Sequence, residues 1–80
     1  MLRLARKHPR IAVDPEIMAG KPCIKGTRMP VDLILRELGE GLTPEQVIEG
    51  HPFLTPEDIR AAQAFAADVV ADEAVVLADA

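Results

Sequence analysis

Leu42-Thr43-Pro44-Glu45-Gln46-Val47 is echoed twelve residues later by Leu54-Thr55-Pro56-Glu57-Asp58-Ile59. Each segment has the chemistry of a helix start. Thr is a favoured N-cap, Pro fits the first helical position because its missing N–H would have no partner there, and the acids sit at the positive end of the helix dipole. The residue three positions after each Thr, Gln46 or Asp58, can reach back to the cap, Asp being the shorter and less favoured choice. Leu42 can staple to Val47, and Leu54 to Ile59. Two starts this close leave room for only a short helix between them. It ends by Gly50, and Gly50-His51-Pro52-Phe53 links it to the next.

The flanking segments extend this pattern. Val31, Ile34, Leu35 and Leu38 form one apolar stripe at helical spacing, which Gly39 and Gly41 terminate. After Pro56 the apolar positions Ile59, Ala62, Phe65 and Ala66 continue a helix towards Val69. Three helices with a short middle one and a tight link predict a helix-turn-helix arrangement. Upstream, Arg10-Ile11-Ala12-Val13-Asp14-Pro15 reads as a short strand closed by an Asp-Pro turn, and Cys23-Ile24-Lys25 as its hairpin partner. Such a hairpin would leave Ile11, Ala12 and Val13 on an exposed edge suited to pairing with a second copy.

The 80 residues make one small domain with a thin stability margin, which oligomerisation would improve. Phe53 and Phe65 are the only large rings, so the core falls to Ile, Leu, Val and Ala. One cysteine, Cys23, forms no internal disulfide, and no apolar run approaches the roughly 18 residues of a membrane helix. A soluble, cytoplasmic protein is expected. Residues 1–9 mix cations with Leu2, Leu4 and Ala5, lack the pattern of a secretory signal, and are expected to form a basic arm.

Charge is sharply divided along the chain. Residues 1–30 hold seven Lys or Arg against Asp14 and Glu16, whereas residues 31–80 hold Arg36 and Arg60 against eleven acids. One cationic and one anionic partner would suit this division, as would neutralisation within a dimer.

The cations concentrate in Gly20-Lys21-Pro22-Cys23-Ile24-Lys25-Gly26-Thr27-Arg28, where two glycines and a proline can display Lys21, Lys25 and Arg28 around a tight turn. The spacing is not that of a nucleotide-binding phosphate loop, because five residues separate the glycines and Thr27 follows Gly26. An anion site and an ordinary solvated hairpin loop both fit the turn. No catalytic or metal-binding constellation accompanies it. His8, His51 and Cys23 lack zinc spacing, Cys23 reads as a half-buried strand residue, and Glu57 with Asp58 is explained by helix-start electrostatics. Neither enzymatic activity nor a cofactor is expected.

If the chain binds DNA, the third helix would offer Arg60 and Gln63 to base edges, against the repulsion of Glu57 and Asp58 for phosphate. Phosphate affinity would come from Lys21, Lys25, Thr27 and Arg28, helped by Arg3, Arg6, Lys7 and Arg10. The segment from Asp68 to Ala80 combines apolar and acidic positions, with Val70 and Leu77 on one side of a potential helix and Asp68 and Asp72 on the other. It reads as an extension of the third helix or as a partner-binding segment.

Ile11-Ala12-Val13-Asp14-Pro15, Gly20-Lys21-Pro22, Ile24-Lys25-Gly26-Thr27-Arg28, the Leu-Thr-Pro-Glu starts and Asp58-Ile59-Arg60-Ala61-Ala62 together resemble a prokaryotic family. It is the domain of unknown function numbered four hundred and thirty-three. The resemblance spans residues 10–67, leaving the arm and residues 68–80 outside. It implies a homeodomain-like or winged helix-turn-helix core of three helices preceded by a small N-terminal β-hairpin; with the acidic C-terminal helical extension read from residues 68–80, the expected fold is mainly α. It also implies an antitoxin of a type II toxin–antitoxin pair, often beside a PIN-like ribonuclease toxin. The basic half would then bind operator DNA as a homodimer and repress transcription, while Asp68, Val70, Asp72, Glu73 and Leu77 would meet the nuclease. The competing expectation is a protein-interaction module or dimeric regulator that binds no nucleic acid. A small anion-binding or enzymatic subunit completed by another chain is a third.

Overall fold

The computed structural model describes residues 2–5 and 7–72. Three antiparallel strands open the chain: β1 (Arg3–Ala5), β2 (His8–Val13) and β3 (Cys23–Ile24), in the spatial order β1-β2-β3. Three helices follow: α1 (Val31–Gly39), α2 (Pro44–Gly50) and α3 (Pro56–Asp72). The domain is therefore mixed α/β, which corrects the expectation of a mainly α helix-turn-helix core with only a hairpin before it. The additional strand lies within the segment expected to be a basic arm. Three residues are too few to show a strand period, and β1 is defined by its partner. Arg3 pairs with Val13, Leu4 with Ala12 and Ala5 with His8, with a register shift between Leu4 and Ala5.

This third strand also overturns the expected dimer edge. Ile11 and Ala12 face β3 through Ile24 and Cys23, while Ala12 and Val13 face β1, so β2 is the central strand and both of its edges are occupied. Ile11 and Ala12 are buried. At the other end, the division expected after Ala67 falls inside α3, which runs on to Asp72. Glu73 and Leu77 lie outside the described residues.

Between β2 and β3 the chain turns through Met18 and Ala19, both with positive φ, into Gly20. Left-handed backbone is unfavourable for L residues, and three backbone hydrogen bonds hold it here. The N–H groups of Ile17, Gly20 and Lys21 donate to the carbonyls of Asp14, Ile17 and Met18. Beyond β3, Gly26 takes φ +80° with open space around it, and Thr27 closes the turn. The Thr27 hydroxyl donates to the Ile24 carbonyl at 2.7 Å and accepts from the Met29 N–H at 3.0 Å.

Helix α1 ends as its glycines anticipate. Gly41 has φ +104°, its N–H donates to the Leu38 carbonyl, and the Leu42 N–H reaches back to Glu37, a Schellman closure. Thr43 and Gln46 form a reciprocal capping box at α2. The core gathers Ile11 and Ile24 from the sheet, Met29, Val31 and Ile34 from the start of α1 and its approach, Val47 from α2, and Leu54, Ile59 and Ala62 from the α3 segment. Burying one such Ile or Leu contributes about 1.5–3 kcal/mol. The sheet and α3 are consequently one packed unit, with polar contacts tying β2 to the helix.

Candidate binding surfaces

The start of α3 is where the sequence and the structure diverge most usefully. Asp58 closes a capping box with Thr55: its carboxylate accepts the Thr55 N–H at 3.0 Å, and its own N–H donates to the Thr55 hydroxyl at 3.2 Å. The same carboxylate is 3.0 Å from the Arg10 guanidinium of β2. Asp58 is only 6% exposed. Its charge is turned inward and matched, so it does not confront an approaching phosphate as the sequence suggested. Glu57 remains exposed and pairs with Arg60 at 3.5 Å.

The cationic turn is likewise partly committed. Lys21 lies 3.5 Å from Asp32, which Arg36 also approaches at 3.8 Å. The Thr27 hydroxyl is occupied within the turn, which makes that residue a structural latch. Lys25 and Arg28 are exposed and make no ion pair among the described residues. Gln63 is exposed on α3 beside Arg60, but no hydrogen bond or ion pair joins Arg60 or Gln63 to the turn among the described residues. Two separate cationic features result.

Cys23 is buried, and its thiol donates weakly to the Lys21 carbonyl at 3.4 Å. Burial is the main cause pushing this thiol above its ordinary pKa, and the nearby Asp32 carboxylate adds to it. Arg28 and Lys21 act in the opposite direction without overcoming burial. A thiol held protonated is a poor nucleophile, in keeping with a packing role.

At the far end of α3, His8 reaches Asp68 at 2.6 Å and meets the Phe65 ring edge-on with centroids 5.5 Å apart. Lys7, His8, Phe65, Asp68, Val69 and Asp72 line a cleft there. On the neighbouring face, Pro22, Val31, Leu35, Phe65, Ala66, Val69 and Val70 form an apolar groove of about 340 Å³, with the Lys21–Asp32 pair at its rim. Val70 is 62% exposed, more than any other large apolar side chain among the described residues. Of the expected partner residues, Asp68, Val70 and Asp72 all fall on this exposed end of α3.

A second apolar groove, of about 540 Å³, was not anticipated from the sequence. Met18, Met29, Pro30, Leu33 and Phe53 form it beside Gly26, Thr27 and Arg28. Its residues come from three separate stretches of chain, so no local pattern announces it. His51, in the link between α2 and α3, is half-buried and contacts Glu37 at 3.2 Å and the Phe53 ring at 6.2 Å. It thereby fixes the link that presents Phe53.

The described residues thus form a three-stranded sheet packed with three helices, with an apolar groove on each of two surfaces. Residues 11–66 match the family described as "Protein of unknown function (DUF433)", and the chain belongs to that family. Among its relatives, the uncharacterized protein y4eO of Sinorhizobium fredii is 33% identical over 63 residues, covering 79% of this chain and 28% of that protein. The chain thus spans little more than a quarter of that relative. An uncharacterized protein of Archaeoglobus fulgidus is 59% identical over 27 residues, which are 34% of this chain and 75% of that protein. A crystal structure of a DUF433 member protein from Anabaena variabilis shares the fold with a TM-score of 0.71 at 27% identity, covering 74% of this chain and 58% of that one.

Proposed function

We propose that the protein is the antitoxin of a type II toxin–antitoxin pair, and that it binds and inhibits a PIN-like ribonuclease through the end of α3. The observation that carries this reading is the pairing of exposed Val69 and Val70 with the carboxylates of Asp68 and Asp72, beside an apolar groove. A ribonuclease holds RNA phosphates with cations. An acidic, apolar-anchored helix end is complementary to such a surface, its charges speeding encounter and its valines supplying contact area. Autorepression is the second limb of the proposal. Exposed Lys25 and Arg28 would contact operator phosphates, and the inward, matched charge of Asp58 lowers the electrostatic cost of bringing α3 near DNA. Because both edges of β2 are occupied, a homodimer would use another surface.

A specific observation favours the alternative, an interaction module that binds no nucleic acid. Arg10, Lys21 and Arg60 already face Asp58, Asp32 and Glu57, leaving few free cations for phosphate.

The test is to purify the tagged chain from its native host and identify the stoichiometric partner by mass spectrometry. A small ribonuclease, inhibited by the wild-type chain and released by Val70→Asp, is the expected result. Recovery of the chain with itself alone would overturn the antitoxin reading. Mobility-shift titration on the DNA upstream of its gene, at two salt concentrations, separates the two readings of the cationic turn. An effect of Lys25→Ala and Arg28→Ala on affinity and salt slope supports repression, and no binding supports the module.

A further inference from the structure

The groove beside Arg28 shares no lining residue with the groove assigned to the nuclease, and its charged lining residue is a cation where the end of α3 carries carboxylates. Met18, Leu33 and Phe53 are 39%, 36% and 55% exposed and converge in it, together with Met29 and Pro30. Single exposed apolar residues need no explanation, but a contiguous set around one groove marks an interaction site. Met18, exposed above the buried Met29, suits a surface that must adapt to the side chains it receives. Among the described residues no carboxylate lines the groove, and Arg28 at its edge makes no ion pair.

These observations also discriminate between ligands. A nucleic-acid base would need donors and acceptors along its edges, yet among the described residues the polar side chains lining the groove are Thr27 and Arg28 alone, and the Thr27 hydroxyl already makes two hydrogen bonds. Among the described residues α3 contributes no side chain to this groove; its end lines the other one, through Phe65, Ala66, Val69 and Val70.

We infer that this groove is a docking site for a protein partner that presents an amphipathic segment of Leu or Phe side chains flanked by Asp or Glu. The apolar side chains enter between Met18, Leu33 and Phe53, and a flanking carboxylate meets Arg28. This inference does not depend on the antitoxin reading, since it concerns a different face of the molecule.

The test uses the full chain labelled with ¹³C at the methionine methyl groups, because Met18 and Met29 both line the groove. The probe is a capped synthetic helical peptide with Leu and Phe on one face and Glu on the other, compared with the same peptide carrying Lys in place of Glu. Saturable shifts of the Met18 and Met29 methyls with the Glu peptide are expected, with affinity reduced roughly tenfold by the Lys peptide or by Arg28→Glu. Leu33→Asp should abolish the shifts, with circular dichroism confirming that each variant is folded. Equal binding of both peptides, or binding unaffected by Arg28→Glu, would overturn the proposed charge complementarity. Absence of any methyl shift at millimolar peptide would overturn the site. Shifts produced by raising the protein concentration alone would assign the groove to a second copy, and shifts produced only by a single-stranded oligonucleotide would assign it to nucleic acid; either result rejects the inference.

Discussion

At the start of α2, Thr43 and Gln46 exchange hydrogen bonds on the surface; at the start of α3, Thr55 and Asp58 exchange the same pair around a buried carboxylate that Arg10 also reaches. The preceding leucines differ in the same sense, Leu42 being 36% exposed while Leu54 is buried in the core. One local grammar therefore serves two purposes. In α2 it only starts a helix. In α3 it also anchors the helix to the sheet, and the shorter, charged Asp in place of Gln is what a contact with Arg10 requires.

The sharpest way to break this comparison is to remove the two third-position side chains in turn. Asp58→Ala strands the Thr55 N–H and deprives Arg10 of its partner, with an expected loss of about 3 kcal/mol, whereas Gln46→Ala should cost about 0.5 kcal/mol because water replaces its hydrogen bond. Urea denaturation measures both. Similar losses would mean that the Arg10 contact adds nothing to the box. The leucines extend the test: Leu54→Ala is expected to cost about 2–3 kcal/mol and Leu42→Ala well under 1 kcal/mol. A matched pair of losses would place Leu42 in a real staple despite its exposure.

The same contrast explains what was legible in the sequence. Caps, stops and the α1 stripe are local, so the helix starts at Pro44 and Pro56 and the closure at Gly41 could be read directly. The pairing of Arg3–Ala5 with β2 is set by a partner strand and leaves no local pattern, and it is this pairing that makes the domain mixed α/β and β2 a central strand instead of a dimer edge. Arg10 and Asp58 are 48 residues apart, and His8 and Asp68 are 60 apart; no period connects them. The sequence supplied the correct chemistry for each residue but not its neighbour. From sequence alone Arg10 points to phosphate and Asp58 to repulsion, whereas in the fold each is the other's partner. The groove at Met18, Leu33 and Phe53 was hidden for the same reason.

A smaller effect is expected from the pair itself. Arg10 is half-exposed, so solvent screens its attraction to Asp58, and a double-mutant cycle of Arg10→Met and Asp58→Asn should return a coupling of about 1 kcal/mol. Zero coupling would leave Asp58 as a cap alone and dissolve the distinction between the two helix starts.

The smallest expected effect comes from pH and acts on the sheet that carries Arg10. Ala12 of β2 pairs with Cys23, and the Lys25 N–H donates to the Arg10 carbonyl at 2.7 Å, so β3 braces the strand that reaches Asp58. Folding raises the Cys23 pKa from its ordinary 9.0, which means that the folded state holds the thiol proton more tightly than the unfolded chain. The resulting stability is complete below pH 9 and is lost as pH rises through the folded value. Urea midpoints should therefore fall on the alkaline side in the wild type and stay flatter in Cys23→Ala. If alkaline loss accompanies a fall in the Arg10–Asp58 coupling, with the cost of Gln46→Ala unchanged, then α3 is held through the sheet while α2 depends on its own cap. An equal alkaline loss in Cys23→Ala would instead remove the thiol from that linkage.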